Sequence, residues 1–420
     1  MPKPVQRLLA AARSPRFPIF MIVFVDVLGL GLTLPVLPLF AQNQLGAEAW
    51  QITTLTSVFF TAQFFAAPAL GRWSDRLGRR PVLVLSQAGT FAALLITGLA
   101  PSMIFLYLAR LIDGATGGNI SVAQAYLSDI TDERNRARGL GTVNAAFGLG
   151  FVFGPAFGSL IAASFGPRLP FFVAACVSLT TILLSIFLLP ESLPPERRRL
   201  EPSIASDGAR GRNLDLLRTP AVAILLAIAF GSQFSFFTFQ TTHVLWAEHQ
   251  VLPGQPDAVV QQTVGAALTL VGIVQIITQF WLVGPFARRF GEKKLAVGGN
   301  LARAIAFAVM AIAPTLAAWF STIPLIAIGG GLALPALVAL LTYAAPPGGR
   351  GQVIGLYQSF AALGSILGPV LAGFLFQSIS PGAPVAAAAA LMGGTVAIGL
   401  GLFRQPLANP ALPHPSDSSE

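Results

Sequence analysis

Four ionisable side chains lie deep inside apolar runs of this chain: Asp26, Arg110, Asp113 and Arg303. A charge at the centre of a bilayer costs ~2.5–3.5 kcal/mol on insertion scales, so each of these groups has to be partnered or used. A carboxyl group held there can take up and release a proton when water reaches it from alternate sides, which makes Asp26 a candidate proton carrier. The plainer reading is that Asp26 caps or pairs within a helix bundle. Arg110 and Asp113 stand three residues apart on one helical face, where they either neutralise each other or join Asp26 in coupling. The sequence has no Gly-x-x-x-x-Gly-Lys phosphate loop and no His-Glu-x-x-His zinc motif. Its histidines are His243, His249 and His414, and its one cysteine is Cys176. Neither a catalytic residue, a metal nor a cofactor is expected.

The elements that must hold these charges follow from composition. The 420 residues are 54% hydrophobic and 10% charged, with mean hydropathy +0.71, far from the roughly 25% charge of soluble domains. Apolar runs of about 20 residues recur throughout, which predicts an all-α integral membrane protein rather than a barrel. Spans are predicted at 17–40, 51–70, 81–100, 103–128, 139–164, 170–190, 219–246, 261–284, 295–314, 316–344, 350–377 and 384–404. The basic residues of the links crowd one side: Arg72, Arg76, Arg79 and Arg80, then Arg134, Arg136 and Arg138, Arg197 to Arg199, Arg288, Arg289, Lys293, Lys294 and Arg350. The opposite links offer Arg168 alone, so the positive-inside rule places both termini in the cytoplasm of a plasma (inner) membrane protein. The net charge of +9 is thereby read as topology, with no nucleic-acid partner. The basic residues before the first span resemble a signal-peptide start, but that span is long and holds Asp26, so it is expected to be retained.

The densest charge lies in Gly71-Arg72-Trp73-Ser74-Asp75-Arg76-Leu77-Gly78-Arg79-Arg80-Pro81, predicted to be a tight loop between the second and third spans. A weaker copy, Gly284, Arg289, Gly291, Lys293 and Lys294, follows at an offset of 213 (284 − 71). Gly150-x-x-x-Gly154-Pro155 and Gly364-x-x-x-Gly368-Pro369 repeat at 214 (368 − 154). Two motifs thus give one period, and the chain divides into a six-helix bundle over 1–190, a linker over 191–218, a second bundle over 219–404 and a Pro- and Ser-rich tail over 405–420 expected to be disordered. The linker offers a short interfacial helix at Asn213–Arg218. By the same offset Asp26 maps to Phe239 or Gln240, and Arg110 to Ile323, so these charges belong to one half. Asp75, Arg79 and Asp129 are expected to form a cluster that latches the inner ends of the two halves in the outward-facing state and parts when the cavity opens inward, the plainer reading being a solvated surface cluster.

The loop resembles the signature between the second and third helices of the major facilitator superfamily, whose fold is two pseudo-symmetric six-helix bundles. Asp26-x-x-Gly29-x-Gly31-x-x-x-Pro35-Val36-Leu37-Pro38, Leu106 to Leu111 with Gly114, and Gly148-x-Gly150-x-x-x-Gly154-Pro155 are similar to motifs of its drug/proton antiporters. Gly291-Glu292-Lys293-Lys294 and the Gly329 to Leu337 run most resemble bacterial tetracycline/proton antiporters. The resemblance implies an essential acid at Asp26, a coupling arginine at Arg110, and a gating loop of Gly71, Asp75, Arg76, Gly78, Arg79 and Arg80 with Asp129. It implies an antiporter motif at Gly148, Gly150, Gly154 and Pro155, and cavity positions at Gln63 and Gln279. One departure matters: those antiporters usually carry an aspartate in the ninth helix, where this chain has Arg303. That puts tetracycline itself in question, with Asp113 a candidate compensating acid. Further polar residues expected to face a substrate cavity are Asn119, Gln240, Gln275, Asn300, Arg303 and Gln358.

The expectation is a monomeric transporter whose partners are protons, the lipid bilayer and a small lipophilic or amphipathic substrate, exported by alternating access. The alternative is a facilitator or proton-linked carrier of a metabolite such as a sugar or organic anion. A receptor or membrane-embedded enzyme is the reading from another class.

Overall fold

The computed structural model describes residues 16–117, 119–130, 133–194, 198, 216–346 and 349–405, with only the backbone of 16–18, 119, 120 and 133–144. The described residues are almost wholly helical, with no strand. Most of the linker, including 213–215 of the expected interfacial helix, and 406–420 of the tail lie outside them.

The first half comprises α1a (Arg16–Thr33), α1b (Leu37–Leu45), α2 (Ala49–Leu77), α3 (Arg79–Leu99), α4a (Met103–Thr116), α4b (Asn119–Ile130), α5 (Glu133–Phe165) and α6 (Leu169–Phe187). The second comprises α7a (Pro220–Gln240), α7b (His243–Trp246), α8a (Asp257–Ile277), α8b (Val283–Phe290), α9 (Glu292–Ile312), α10 (Leu316–Ala344), α11 (Arg350–Ser378) and α12 (Ala383–Leu400). Eleven helices among the described residues are long and apolar enough to cross a bilayer. The twelfth position is filled by α4a and α4b, of 14 and 12 residues, each too short to cross alone.

Several spans expected to be continuous are broken, each for a local reason. The first breaks at Leu34–Val36, where Pro35 has no N–H to give and its ring crowds the preceding turn; Pro38 then opens α1b. The fourth breaks after Thr116 at Gly117, where the low helix propensity of glycine weakens the turn. The seventh breaks at Thr241 and Thr242, whose hydroxyls bond the carbonyls of Phe237 and Thr238 at 2.7 and 3.1 Å. The eighth carries a π-helical turn at Thr278–Leu282.

The expected loop at Gly71–Pro81 is mostly helix. α2 runs to Leu77, α3 begins at Arg79, and Gly78 alone links them, with φ 108°. At 29 residues, or about 43 Å at 1.5 Å per residue, α2 outreaches a hydrocarbon core of about 30 Å, so its charged last turns project beyond it. Gly291 links α8b to α9 in the same way, with φ 76°, at the offset of 213 (291 − 78) that the charges gave.

The halves repeat in packing, with a different register for their first helices. A Cβ on Gly150 of α5 would lie 2.8 Å from Phe24 O and 2.9 Å from Leu28 N; one on Gly364 of α11 would lie 2.7 Å from Phe230 O and 2.8 Å from Phe234 N. Equivalent positions in α1a and α7a are therefore 206 apart (230 − 24). This corrects the expected mapping: Asp26 corresponds to Ser232, not to Phe239 or Gln240. The extra residues enter between α7a and Gly291, across the longer link to α8a and the π-helical turn.

Candidate functional site

The fold brings the membrane charges of the first half into two settings. Asp26 is half-buried on α1a and is not an unpartnered carboxylate. Its helix is locked to α5 by the glycine motif: a Cβ on Gly154 would meet Gly31 Cα at 2.6 Å, and Pro155 stands against Gly31 as well. Small residues let the two backbones touch, which larger side chains would forbid. Gly148, at the start of the motif, points the other way, its Cβ position 2.7 Å from Ile276 of α8a in the second half. Thr269 Oγ1 of α8a also donates to Val152 O of α5 at 3.2 Å. α5 thus touches the acid-bearing helix on one face and the opposite half on another.

Arg110 and Asp113 do pair, Nη1 to Oδ2 at 3.5 Å, with side chains 12% and 13% exposed. Thr90 Oγ1 of α3 donates to the other Asp113 oxygen at 3.0 Å. Asp113 is therefore held between a cation and a hydroxyl, as mutual neutralisation requires. The adjoining residues Leu111 and Ala115 instead line a cleft of about 800 Å³ with Thr54, Ser57, Phe65 and Ile366. This cleft lies where α2 and α4a meet α11, and its lining is overwhelmingly apolar.

The loop cluster forms, but not as expected. Arg79 Nη1 reaches Asp75 Oδ1 at 2.5 Å, and Arg79 Nε reaches Asp129 Oδ2 at 3.0 Å. All three belong to the first half; Arg79 Nη1 also donates to Ser74 Oγ of α2 at 3.1 Å, and Ser192 Oγ, in the segment after α6, donates to Asp129 at 3.1 Å. Glu191 was not foreseen. Its carboxylate accepts the backbone N–H of Arg79 at 2.8 Å and of Arg80 at 3.2 Å, so it caps the start of α3 from across the chain. Arg80 in turn donates to Ser185 O and Ile186 O at the end of α6. The only hint in sequence was an acid soon after a predicted helix end. Arg76 and Gly71 are exposed, with open space around Gly71.

The halves meet from mid-span to the end opposite this cluster. Ser57 Oγ donates to Ile366 O at 2.7 Å, Phe60 and Phe237 meet edge-on at 4.9 Å, and Gly373 packs on Trp50 and Thr53. At the far end Gln42 Nε2 donates to both Glu248 oxygens, at 3.2 and 3.0 Å, and Asn43 Nδ2 to Asp257 Oδ2 at 2.8 Å. Gly71 of α2 and Gly351 and Gly355 of α11 have nothing within 4 Å of a Cβ position. Among the described residues, the halves are closed against each other from mid-span to the end opposite the basic links.

The polar residues expected in a cavity scatter, and none of them lines the cleft. Gln63 Nε2 donates to Gly117 O at 2.7 Å, filling the carbonyl freed by the break between α4a and α4b. Gln240 and Gln275 are each half-buried, on α7a and α8a, while Gln279 on the π-helical turn and Gln358 on α11 are exposed. The Asn119 side chain lies outside the described set. Asn300 and Arg303 are 2% and 3% exposed inside the second half. The Arg303 guanidinium lies 4.8 Å above the Phe236 ring, and its Nε has no hydrogen-bond partner. A desolvated cation–π contact is worth ~2 kcal/mol, less than the several kcal/mol of removing the charge from water.

Comparison with known proteins agrees with this geometry. The family described as Major Facilitator Superfamily matches residues 19–260 and 257–419. The chain is 34% identical over 358 residues to the class C tetracycline resistance protein of Escherichia coli, covering 83% of this chain and 86% of that one. It is 31% identical over 360 residues to multidrug resistance protein 2 of Bacillus subtilis (strain 168), covering 84% and 87%. Among solved structures, the nucleoside transporter NupG superposes with TM-score 0.74 at 17% identity, covering 93% of this chain and 98% of that one. The human organic anion transporter MFSD10 superposes with TM-score 0.66 at 22% identity, covering 91% and 98%.

Proposed function

This chain belongs to the Major Facilitator Superfamily, a transporter and not an enzyme, and we propose that it is a proton-coupled exporter of small lipophilic compounds working by alternating access. The observation that carries the reading is the position of α5. It holds the Asp26 helix through Gly150 and Gly154 while touching α8a of the other half through Gly148 and Val152. A change of charge on Asp26 alters the fit of α1a against α5, and α5 transmits that change to the surface on which the halves rock. The named functions of the tetracycline and multidrug resistance relatives support a drug-like substrate. The apolar cleft beside α4a supports a lipophilic one.

With the basic links on the cytoplasmic side, both termini are cytoplasmic and the closed end faces outward, so substrate enters from the cell or inner leaflet. The transporter acts as a monomer in the plasma membrane. Proton entry from outside is driven by ~2.3 kcal/mol per charge per 100 mV plus any pH gradient. The residues that carry coupling are Asp26, with Arg110 and Asp113 as a pair that exchanges partners when the half opens.

Proteoliposomes holding the purified chain test this. An imposed proton gradient is expected to drive movement of a lipophilic fluorescent drug, and Asp26→Asn to abolish driven movement while leaving gradient-free exchange. Driven transport that survives Asp26→Asn rejects the coupling role, and gradient-independent wild-type transport rejects antiport.

A further inference from the structure

The two glycine links at Gly78 and Gly291 carry opposite charge patterns. At the offset of 213 that relates them, Asp75 corresponds to Arg288 (288 − 75), Arg76 to Arg289, Arg79 to Glu292, Arg80 to Lys293, Pro81 to Lys294, Asp129 to Thr342 and Glu191 to Arg404 (404 − 191). In the first half these positions hold three cations and three acids, and they balance. In the second they hold five cations and one acid, a surplus of four. That acid, Glu292, accepts from Tyr343 Oη at 3.4 Å. Among the described residues no carboxylate lies within salt-bridge distance of Arg288, Arg289, Lys294 or Arg404.

The fold gathers these cations. Lys293 Nζ donates to Gln405 O at 2.6 Å, which fixes the end of the 3-10 turn Gly401–Arg404 against the first turn of α9. α8b turns Val283, Phe286 and Ala287 onto the core that also buries Leu402. Its other face, with Pro285, Arg288 and Arg289, therefore points away from the bundle, and Arg288, Arg289, Lys294 and Arg404 are all exposed. Earlier in the same span, on the membrane side of the arginines, Phe280 and Trp281 are 55% and 65% exposed. Phe290 and Phe403, each next to one of the arginines, are exposed too, and the Arg289 guanidinium lies 5.5 Å from the Phe290 ring centroid.

Aromatic rings at the edge of the hydrocarbon with cations just beyond them match the layering of a lipid: acyl chain, then headgroup. Guanidinium groups recognise phosphate by charge and by paired N–H donors, and anionic lipids concentrate at a basic surface. We propose that the face formed by α8b, the start of α9 and the end of α12 docks an anionic phospholipid. Its phosphate-bearing headgroup lies against Arg288, Arg289, Lys294 and Arg404, and an acyl chain lies along Trp281. The first-half link, neutralised by its own acids and capped by Glu191, offers no such face. The proposal goes beyond the export reading and takes from it only the leaflet, the cytoplasmic one. Asp417 and Glu420 near the end of the chain have complementary charge as well, but they do nothing for the exposed rings, which a lipid covers together with the cations.

Purified full-length protein in dodecyl maltoside is titrated with dioleoyl phosphatidylglycerol and with dioleoyl phosphatidylcholine, and bound lipid is counted by native mass spectrometry. The wild type is expected to prefer phosphatidylglycerol, and Arg288→Gln with Arg404→Gln to weaken it at least about tenfold. Removing two exposed cations elsewhere at the same end of the molecule, Arg72→Gln with Arg350→Gln, is expected to leave binding within about twofold. Equal losses in the two double variants assign the preference to net charge and overturn the site. Glycerol 3-phosphate, the headgroup without chains, is expected not to displace the lipid at equal concentration; displacement makes the ligand a soluble anion and overturns the lipid assignment. Asp417→Asn with Glu420→Gln is expected to change nothing, whereas a phosphatidylglycerol preference that emerges only in that variant gives the face to the chain's own tail and rejects the proposal. Hydrogen exchange on the wild type needs no variant. Phosphatidylglycerol is expected to slow exchange over 283–294 and 401–405 relative to phosphatidylcholine, and protection confined to other segments sinks the site even if the arginine variants fail to fold.

Discussion

The side-chain amide of Gln63 donates a 2.7 Å hydrogen bond to the carbonyl of Gly117, the residue at which the fourth helix breaks. A residue on α2 thereby completes a backbone that α4a leaves open, and in a membrane an unfilled carbonyl has no water to turn to. Gln63→Leu is expected to destabilise the protein by ~1–3 kcal/mol, the usual cost of a buried unsatisfied group. Gln63→Glu should be at least as harmful, since a carboxylate faces the carbonyl with no hydrogen to give. Melting of the purified protein reads both, and a neutral Gln63→Leu refutes the account.

Gly78 and Glu191 form a second joint. The glycine has φ 108°, and a Cβ there would collide with the Glu191 carboxylate. Glu191→Ala should cost ~1–2 kcal/mol, as for loss of a helix cap, and Glu191→Gln less. Gly78→Ala combines strained backbone with a clash and should be worse. Placing it on Glu191→Ala should cost less than the sum of the single changes, because the clashing carboxylate is gone. Additive stabilities in that double-mutant cycle contradict the joint.

Arg79 divides its fork between unequal partners. Asp75 is 64% exposed and Asp129 24%, so solvent screens the first pair far more than the second. Asp75→Asn is expected to shift stability by less than ~0.5 kcal/mol, and Asp129→Asn by ~1–2 kcal/mol through a charge-assisted bond to a shielded arginine. Arg79→Lys should act much as Asp129→Asn does, because one ammonium cannot bridge both carboxylates as the planar fork does. A larger effect from Asp75 reverses this ranking.

The closed end should respond to pH through Glu248. Burial pushes its carboxyl above the usual range, with Asp257 adding to this and His249 and Gln42 partly offsetting it. A group whose pKa is raised in one state favours that state below the ordinary pKa, and the advantage fades as pH rises through the raised value. The closed end is therefore expected to loosen as pH rises through that window and to tighten again on acidification. Spin labels at the exposed Asn43 neighbour Gln44 and at Gln255 would read the separation, and Glu248→Gln should abolish its pH dependence. A separation that grows on acidification has the wrong sign for this mechanism.

By itself the sequence determined the quantities that bilayer physics sets: a helical membrane protein, its approximate spans, the two-fold repeat and the crowding of basic residues on one side. These follow from hydropathy and charge, which a linear chain displays. The pairings Arg110–Asp113 and Arg79–Asp129 were also legible, because helical spacing in one case and the loop motif in the other point to them. Tertiary structure alone decided that the charged loop is one glycine, that Asp26 corresponds to Ser232, and that Gln63 fills a helix break instead of facing a cavity. It alone revealed Glu191 as the cap of α3 and left Arg303 without a carboxylate partner among the described residues. The reason is common to all five: hydrogen-bond partners and packing register depend on residues far apart in the chain, and no local period encodes which backbone group a distant side chain will reach.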